Sequence, residues 1–322
     1  MLPTVITSSV IRGADKGDSH GGVYLIDLER EKVRQVLDWD RAEIDWQGRG
    51  GDRGLRGIVI YDERIYMAAS DEIFVFDQDF KLVGSHRHAL LKHCHETFLE
   101  GSQLYITSTG YNAVIVLDLE RADFVAGYQF RFPHWKQGLY RRGVDFTPAW
   151  RRMQLDTPEK YELVGEDSLH INHVFVEQGR LYFSGTRIRH LFEFDFERLR
   201  IYGRLPRGGH NARPFEGGTL LNDTASDRLA ILDRRGKLQE AYAVRRYAAE
   251  KLNTAGLPER VARQGFARGL LSTNDGHFVV GSSPATLNVF RRGAPQLLKS
   301  VNIAMDLRNA IHGLEIWPFG LN

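Results

Sequence analysis

The chain has 322 residues, 42% of them hydrophobic, and a formal net charge of +2 at pH 7. This balance excludes the basic surface of a nucleic-acid-binding protein, and no apolar run approaches the length of a membrane helix. The N-terminus lacks the basic and apolar regions of a secretory signal, and a single cysteine, Cys94, excludes an internal disulfide. We therefore expect a cytoplasmic protein without nucleic-acid or membrane partners.

The predicted elements begin with three strands near the N-terminus, at residues 4–11, 22–27 and 32–37. Residues 56–76 then contain the clearest unit, which is a strand, a polar turn, a second strand and a third strand. Similar units open at residues 95, 172, 210, 268 and 312. In the units that open at 56, 95, 172, 210 and 268, a large apolar residue falls ten positions after the opening. A repeat of four short strands joined by polar turns is typical of a β-propeller blade.

The unit openings are separated by 39, 77, 38, 58 and 44 residues, so each of the two wide gaps holds one unit plus an insertion. The insertions are predicted at about 130–167 and 242–266, and residues 245–252 read as a short helix ended by Gly256 and Pro258. The last unit has only its first strand, and the three N-terminal strands supply the others. We predict a single all-β domain over residues 1–322, a six-bladed β-propeller closed by both chain ends. A β-sandwich, or a ring of five or seven blades, is the alternative.

Aligning the units places polar side chains at one level of the central channel. The residues at this level are Arg56, His95, Asn172, His210, Arg268 and His312. Glu96 and His173 come one position later in their units, and His170 comes two positions before the level. Inner strands that only filled a core would carry small or apolar residues there. We therefore predict a polar pocket on the face where the inner strands begin and where both insertions arrive.

The composition of this pocket supports three hypotheses. In the first, His95, His170, His210 and His312 hold a divalent first-row transition metal (Fe, Mn, Zn, Ni or Cu) through neutral imidazole. In the second, the histidines and arginines form a metal-free pocket for an anion, with one histidine as general acid or base. In the third, the polar residues only bind channel water, and the protein is a non-catalytic scaffold that binds a ligand or another protein.

The first hypothesis leads to a specific functional prediction. The chain would be a metal-dependent lyase or hydrolase that acts on a small anionic or polyhydroxylated substrate, with the metal polarising an oxygen. Arg56 and Arg268 would orient the anion, and His173 and Glu96 complete the predicted catalytic set.

Four segments also resemble a known family. They are His95-Glu96 at the start of a strand, FTPAWR at 146–151, EDSLHIN at 166–172, and HNARP at 210–214 followed by NDT at 222–224. They cover roughly the middle third of the chain and resemble an uncharacterised bacterial family of propeller-like proteins, some of which occur with sulfotransferase or tetratricopeptide contexts. The family usually has His-Asp in place of His95-Glu96. The resemblance implies a propeller fold and a site at this position, and it implies no particular activity.

Overall fold

Six small antiparallel sheets make up most of the regular structure, as the repeat predicts. The computed structural model describes residues 1–15, 17–40, 54–163, 169–253, 258 and 262–320. Among these residues, no helix combines the length and apolar character needed to cross a bilayer. The first strands of the six sheets contact one another in a closed circle, in the order β4, β8, β13, β17, β21 and β25, with bounds given below. The chain is therefore a six-bladed β-propeller, which confirms the predicted fold.

The strands follow the chain in blade order. The first three are β1 (Thr4–Ile11), β2 (Gly22–Asp27) and β3 (Lys32–Asp38), and they belong to the last blade. Blade 1 contains β4 (Ile58–Tyr61), β5 (Arg64–Ala69), β6 (Glu72–Phe76) and β7 (Leu82–Arg87). Blade 2 contains β8 (Cys94–Glu100), β9 (Gln103–Ser108), β10 (Ala113–Asp118), β11 (Asp123–Arg131) and a fifth strand, β12 (Ala149–Arg152). Blade 3 contains β13 (Ile171–Glu177), β14 (Arg180–Gly185), β15 (His190–Phe194) and β16 (Leu199–Arg204). Blade 4 contains β17 (His210–Phe215), β18 (Gly218–Asp223), β19 (Arg228–Leu232) and β20 (Leu238–Ala243). Blade 5 contains β21 (Gly265–Ser272), β22 (His277–Ser283), β23 (Thr286–Arg291) and β24 (Ala294–Asn302). Blade 6 joins β25 (Asn309–Ile316) to β1, β2 and β3.

The two chain ends close the ring through blade 6. Strand β25 pairs antiparallel with β1, from Val5 opposite Ile316 to Ile11 opposite Asn309. This pairing confirms the prediction that the last unit takes its remaining strands from the N-terminus. It also joins the first and last strands of the chain in one sheet, so neither terminal strand is left without a partner strand.

The hydrophobic core is divided into six clusters, and each cluster fills the space between two neighbouring blades. Middle strands are therefore buried on both faces, as β2 shows along its whole length, whereas the outer strand β3 is largely exposed. Because every blade contributes to two clusters, stability depends on completing the circle.

The insertions differ in part from the prediction. The first contains helix α1 (His134–Arg141) and β12, which pairs with β11 from Arg131 opposite Ala149 to Tyr128 opposite Arg152. In the second, the predicted helix over 245–252 is wrong, because only one 3-10 turn forms, at Ala249–Lys251. Residues 254–257, with the predicted terminator Gly256, lie outside the described residues, as do 41–53 and 164–168.

Candidate active site

The inner strands change register at the level that the repeat singled out. Strand β8 slips against β9 between Cys94 and Thr97, and a matching irregularity occurs in four other inner strands. In a regular strand, consecutive side chains point to opposite faces. A bulge sets two residues against one and breaks this alternation. His95 and Glu96, although adjacent in sequence, can therefore present ligand atoms to the same site.

Polar residues of the second strands stabilise these bulges. Thr107 Oγ1 accepts hydrogen bonds from the backbone N–H groups of His95 (3.2 Å) and Glu96 (2.9 Å). In blade 6, Ser8 Oγ accepts from the N–H of Gly313 (2.8 Å) and donates to the carbonyl of Arg56 (2.7 Å). These bonds satisfy backbone groups that the bulges remove from the ladder, so the irregular segments hold a fixed shape.

Hydrogen bonds also link neighbouring blades close to the inner strands. The N–H of Gly57 donates to the carbonyl of His95 (3.0 Å), and the amide of Asn222 donates to the carbonyl of Gly269 (3.0 Å). Similar bonds run from Thr109 to Ile171 and from Asn172 to Gly209. The site residues are thus held on a rigid circle, as a preorganised site requires.

Four of the six blades bring a histidine close to the axis: His95 and His210 from blades 2 and 4, His312 from blade 6, and His170 from just before blade 3. The ring centre of His95 lies 5.7 Å from that of His170, 6.4 Å from that of His210 and 5.6 Å from that of His312. An imidazole nitrogen bonds zinc at about 2.1 Å, which places the ring centre roughly 3.2 Å from the metal. Two rings on one ion therefore lie roughly 5 to 6.4 Å apart. The observed spacings fall in this range.

A tighter group lies within this histidine cluster. One ligand atom each from His95, Glu96 and His312 lie within 4.8 Å of one another. His170 and His210 adjoin His95 but are outside this group. The geometry therefore favours Glu96, predicted as a catalytic residue, as a ligand beside His95 and His312.

Two arginines complete the channel mouth and set its electrostatics. Arg268 Nη1 lies 3.0 Å from His312 Nε2, and Arg56 is buried beside His95. Burial, with these guanidinium charges, holds the pKa of both His95 and His312 well below its ordinary value. Both imidazoles are therefore neutral at pH 7, which is the form that binds a metal. The Nδ1 atoms of both rings have no hydrogen-bond partner among the described residues.

Glu96 is held by a residue from the other side of the ring. The side-chain oxygen of Asn211 accepts from Asn222 (3.0 Å) and from the N–H of Gly269 (3.1 Å), which turns its amide nitrogen toward the Glu96 carboxyl. Burial raises the pKa of Glu96 to about 8, although Arg56, Arg268 and the Asn211 hydrogen bond act in the opposite direction. The carboxyl is thus largely protonated at neutral pH when no cation is bound.

This pKa shift gives a pH-dependent stability that Glu96→Gln should remove. Between about pH 4.5 and pH 8 the unfolded chain releases the Glu96 proton and the folded chain retains it, so the free energy of unfolding falls as the pH rises. In chelator-treated protein, we expect the wild type to lose about 2 kcal/mol relative to Glu96→Gln across this window, after discounting for partial exposure. Urea denaturation at a series of pH values measures the difference, and parallel curves for the two proteins would contradict it.

The remaining predicted residues take different positions. His210 Nδ1 lies 2.8 Å from Thr224 Oγ1 and 3.1 Å from the carbonyl of Gly208, and its Nε2 has no partner among the described residues. A hydrogen bond from one ring nitrogen to a backbone carbonyl commonly orients the other nitrogen toward a ligand.

His173 is not among the histidines whose rings adjoin His95. Burial and the charge of Arg213 lower its pKa to about 3. Its catalytic role stays a prediction.

The residues that support the site were not predicted from the sequence. Thr107 and Asn222 each lie twelve positions after a residue of the aligned level, namely His95 and His210. Thr107 and Asn222 hydrogen-bond to the bulged segments or to Asn211. A polar residue recurring at one fixed offset in otherwise apolar second strands was the available signal.

Comparison with known proteins supports the fold. No family model matches the sequence, and a search of curated proteins finds no similar sequence. Among solved structures, a protein of unknown function from Bacteroides caccae matches with a TM-score of 0.57 and 8% identity, over 97% of this chain and 98% of the other. A chain of a nidogen/laminin complex matches with a TM-score of 0.58 and 10% identity, over 96% and 97%. At such identities the likeness is one of fold alone. It agrees with the expected resemblance to propeller-like proteins without an assigned role.

Proposed function

We propose that the chain is a metal-dependent enzyme whose channel mouth binds a divalent first-row transition metal and a small anionic or polyhydroxylated substrate. The observation that carries this proposal is the convergence of His95, Glu96 and His312, with ligand atoms within 4.8 Å of one another. Imidazole nitrogens suit Fe, Mn, Zn, Ni or Cu better than Ca or Mg, and one carboxylate is common in such sites.

In this proposal each group has a defined role. His95, Glu96 and His312 would hold the metal, with His210 or His170 able to approach as a further ligand. A bound metal would supply a Lewis acid that polarises a substrate oxygen, which suits a lyase or hydrolase reaction. Arg56 and Arg268 would orient an anionic substrate group through bidentate hydrogen bonds. A metal on His312 Nε2 would displace the contact with Arg268, whereas a metal on Nδ1, which has no hydrogen-bond partner among the described residues, would leave that contact in place.

Metal titration tests the proposal directly. Chelator-stripped protein should bind close to one equivalent of Co²⁺ or Zn²⁺ per chain in equilibrium dialysis. Co²⁺ should develop the visible absorption of a site with nitrogen ligands. Binding should also release protons, because the Glu96 pKa of about 8 leaves that carboxyl protonated beforehand. Failure to retain either ion at micromolar concentration would refute the proposal.

The contact between Arg268 and His312 favours a second candidate, a non-catalytic site for a small anion. The guanidinium lies 3.0 Å from one of the two ring nitrogens that could bind a metal, and Glu96 is neutral without a cation. A scaffold of this kind would bind carboxylate ligands equally well before and after chelator treatment. The metal-dependent enzyme would lose substrate binding on chelation.

A further inference from the structure

A cavity of about 330 Å³ on the face where the inner strands begin is lined mainly by arginines. The lining residues are Tyr140, Arg141, Thr186, Arg187, Arg189 and Arg207. Four of these six are arginines, and none of the described lining residues is acidic. The volume lies at the lower end of the roughly 300–1,000 Å³ that is usual for small-molecule sites. The cavity, called the arginine cavity below, is thus large enough for more than a bare ion.

One guanidinium of the arginine cavity is held in place before any ligand arrives. Arg189 Nη2 donates to the carbonyl of Val144 (2.9 Å) and lies 3.1 Å from the carboxylate of Asp145. The same guanidinium lies 4.7 Å from the ring centre of Tyr140, and the hydroxyl of Tyr140 accepts from the Arg189 N–H (2.9 Å). A side chain fixed in this way loses little conformational entropy when it binds an anion.

Among the described residues, Asp145 is a carboxylate that pairs with a lining arginine, Arg189. Asp145 also pairs with Arg204 and lies 3.2 Å from buried His190, so one carboxylate is shared among several cationic or ionisable groups. Arg207 Nη2 donates to the carbonyl of Arg141 (3.4 Å), which brings two exposed arginine side chains to the same rim. Like charges gathered in one concave site repel one another, and a bound anion reverses that repulsion.

A short backbone bridge separates the arginine cavity from the histidine cluster. The N–H of Thr186 donates to the carbonyl of His170 (3.2 Å), and the carbonyl of Thr186 accepts from the N–H of Gly208 (3.2 Å). The carbonyl of Gly208 in turn contacts His210 Nδ1 (3.1 Å). One wall of the cavity is thus tied to two histidines of the channel mouth.

We propose that the arginine cavity binds the phosphate group of a phosphate monoester. A phosphate monoester carries nearly two negative charges and three terminal oxygens, so it can engage several guanidinium groups at once. A carboxylate offers only one two-oxygen edge. The cavity has room for part of the ester's organic group, which would extend over Thr186 toward the channel mouth. This binding uses no metal, so it holds whether or not the histidine cluster binds one.

Calorimetric titration with three matched probes tests the proposal. Phenyl phosphate, phenyl sulfate and benzoate share a ring and differ in the anion, and each is titrated into the full chain at low salt after chelator treatment. Phenyl phosphate should bind about tenfold more tightly than the other two. Arg207→Gln and Arg141→Gln should each weaken it by about tenfold, because each removes a charge-assisted hydrogen-bond donor. Arg235→Gln is the control, since it removes the same charge from an exposed turn of blade 4.

Each result is decisive for the phosphate assignment. Phenyl phosphate binding that is selective and weakened only by the two cavity substitutions supports it. Tighter binding of phenyl sulfate or benzoate overturns it, and so does equal weakening in Arg235→Gln, which would indicate a general charge effect. The absence of saturable binding at millimolar concentration also overturns it. A protein that binds no Co²⁺ but still binds phenyl phosphate would refute the metal proposal alone.

Discussion

A double variant with His95→Ala and His312→Ala is expected to fold and to retain less than about a tenth of the metal that the wild type binds. These two rings and the Glu96 carboxyl are the groups whose ligand atoms lie within 4.8 Å. Loss of even an outer hydrogen-bond partner of a metal site typically lowers affinity by about 10- to 100-fold, and loss of two direct ligands costs more. Elemental analysis of dialysed protein, with circular dichroism for folding, measures the result.

The controls separate a site effect from a general loss of imidazole. His277→Ala removes a histidine that pairs with Asp275 at the start of β22, away from the cluster, and should keep the metal. A His95→Gln, His312→Gln pair replaces the buried rings with side chains of similar length if the alanine variants unfold. A His95→Ala, His210→Ala double variant tests whether His210 also binds the metal. A larger loss of metal than in the His95→Ala single variant would indicate that it does. Full metal retention in the folded His95, His312 variant would rule out the proposed ligands.

The repeat made the ring and its closure predictable because each unit carries the same turn and strand signals at the same offsets. The levels of His95, His210 and His312 followed from that alignment, since strands in register around an axis bring equivalent positions together. The face of the strand on which each side chain lies could not be predicted from the alignment. A strand read with strict alternation places His95 and Glu96 on opposite faces, and the slip between Cys94 and Thr97 is what makes them neighbours.

Tertiary contacts explain the other differences. Residues 245–252 carry helix-forming residues, yet the N–H of Arg245 bonds to Asn288 and that of Tyr247 to Gln264, which holds the start of the segment against blade 5 outside a helix. Strand β12 has the sequence AWRR, which lacks the alternation expected of a half-buried strand, and forms because β11 offers a free edge. In both cases a tertiary partner decided the outcome, and no single-sequence pattern contained it.

Gly313→Ala is expected to destabilise the chain by at least about 3 kcal/mol, because the added methyl group has no space. A Cβ atom at Gly313 would lie 2.1 Å from the carbonyl oxygen of Arg56, 2.7 Å from Ile58 and 2.9 Å from Ser8. The first of these atoms is backbone and cannot rotate away. It belongs to the segment that leads directly into β4 of blade 1, so relief would require the inner edges of blades 6 and 1 to separate. That separation would break the Ser8 hydrogen bonds to Gly313 and Arg56.

Gly84→Ala is the matched control for this prediction, since it adds the same methyl group in the exposed outer strand β7, where a Cβ meets no atom within 4 Å. Its effect should stay within about 0.5 kcal/mol. Urea denaturation followed by tryptophan fluorescence compares the two variants with the wild type. Because Gly313 lies next to His312 and opposite Arg56, ring opening should also lower Co²⁺ binding in Gly313→Ala and leave Gly84→Ala unchanged. Equal stability of the two variants would mean that the inner strands of blades 6 and 1 do not meet as closely as the structure places them, and the rigid circle that positions the histidines would lose its support.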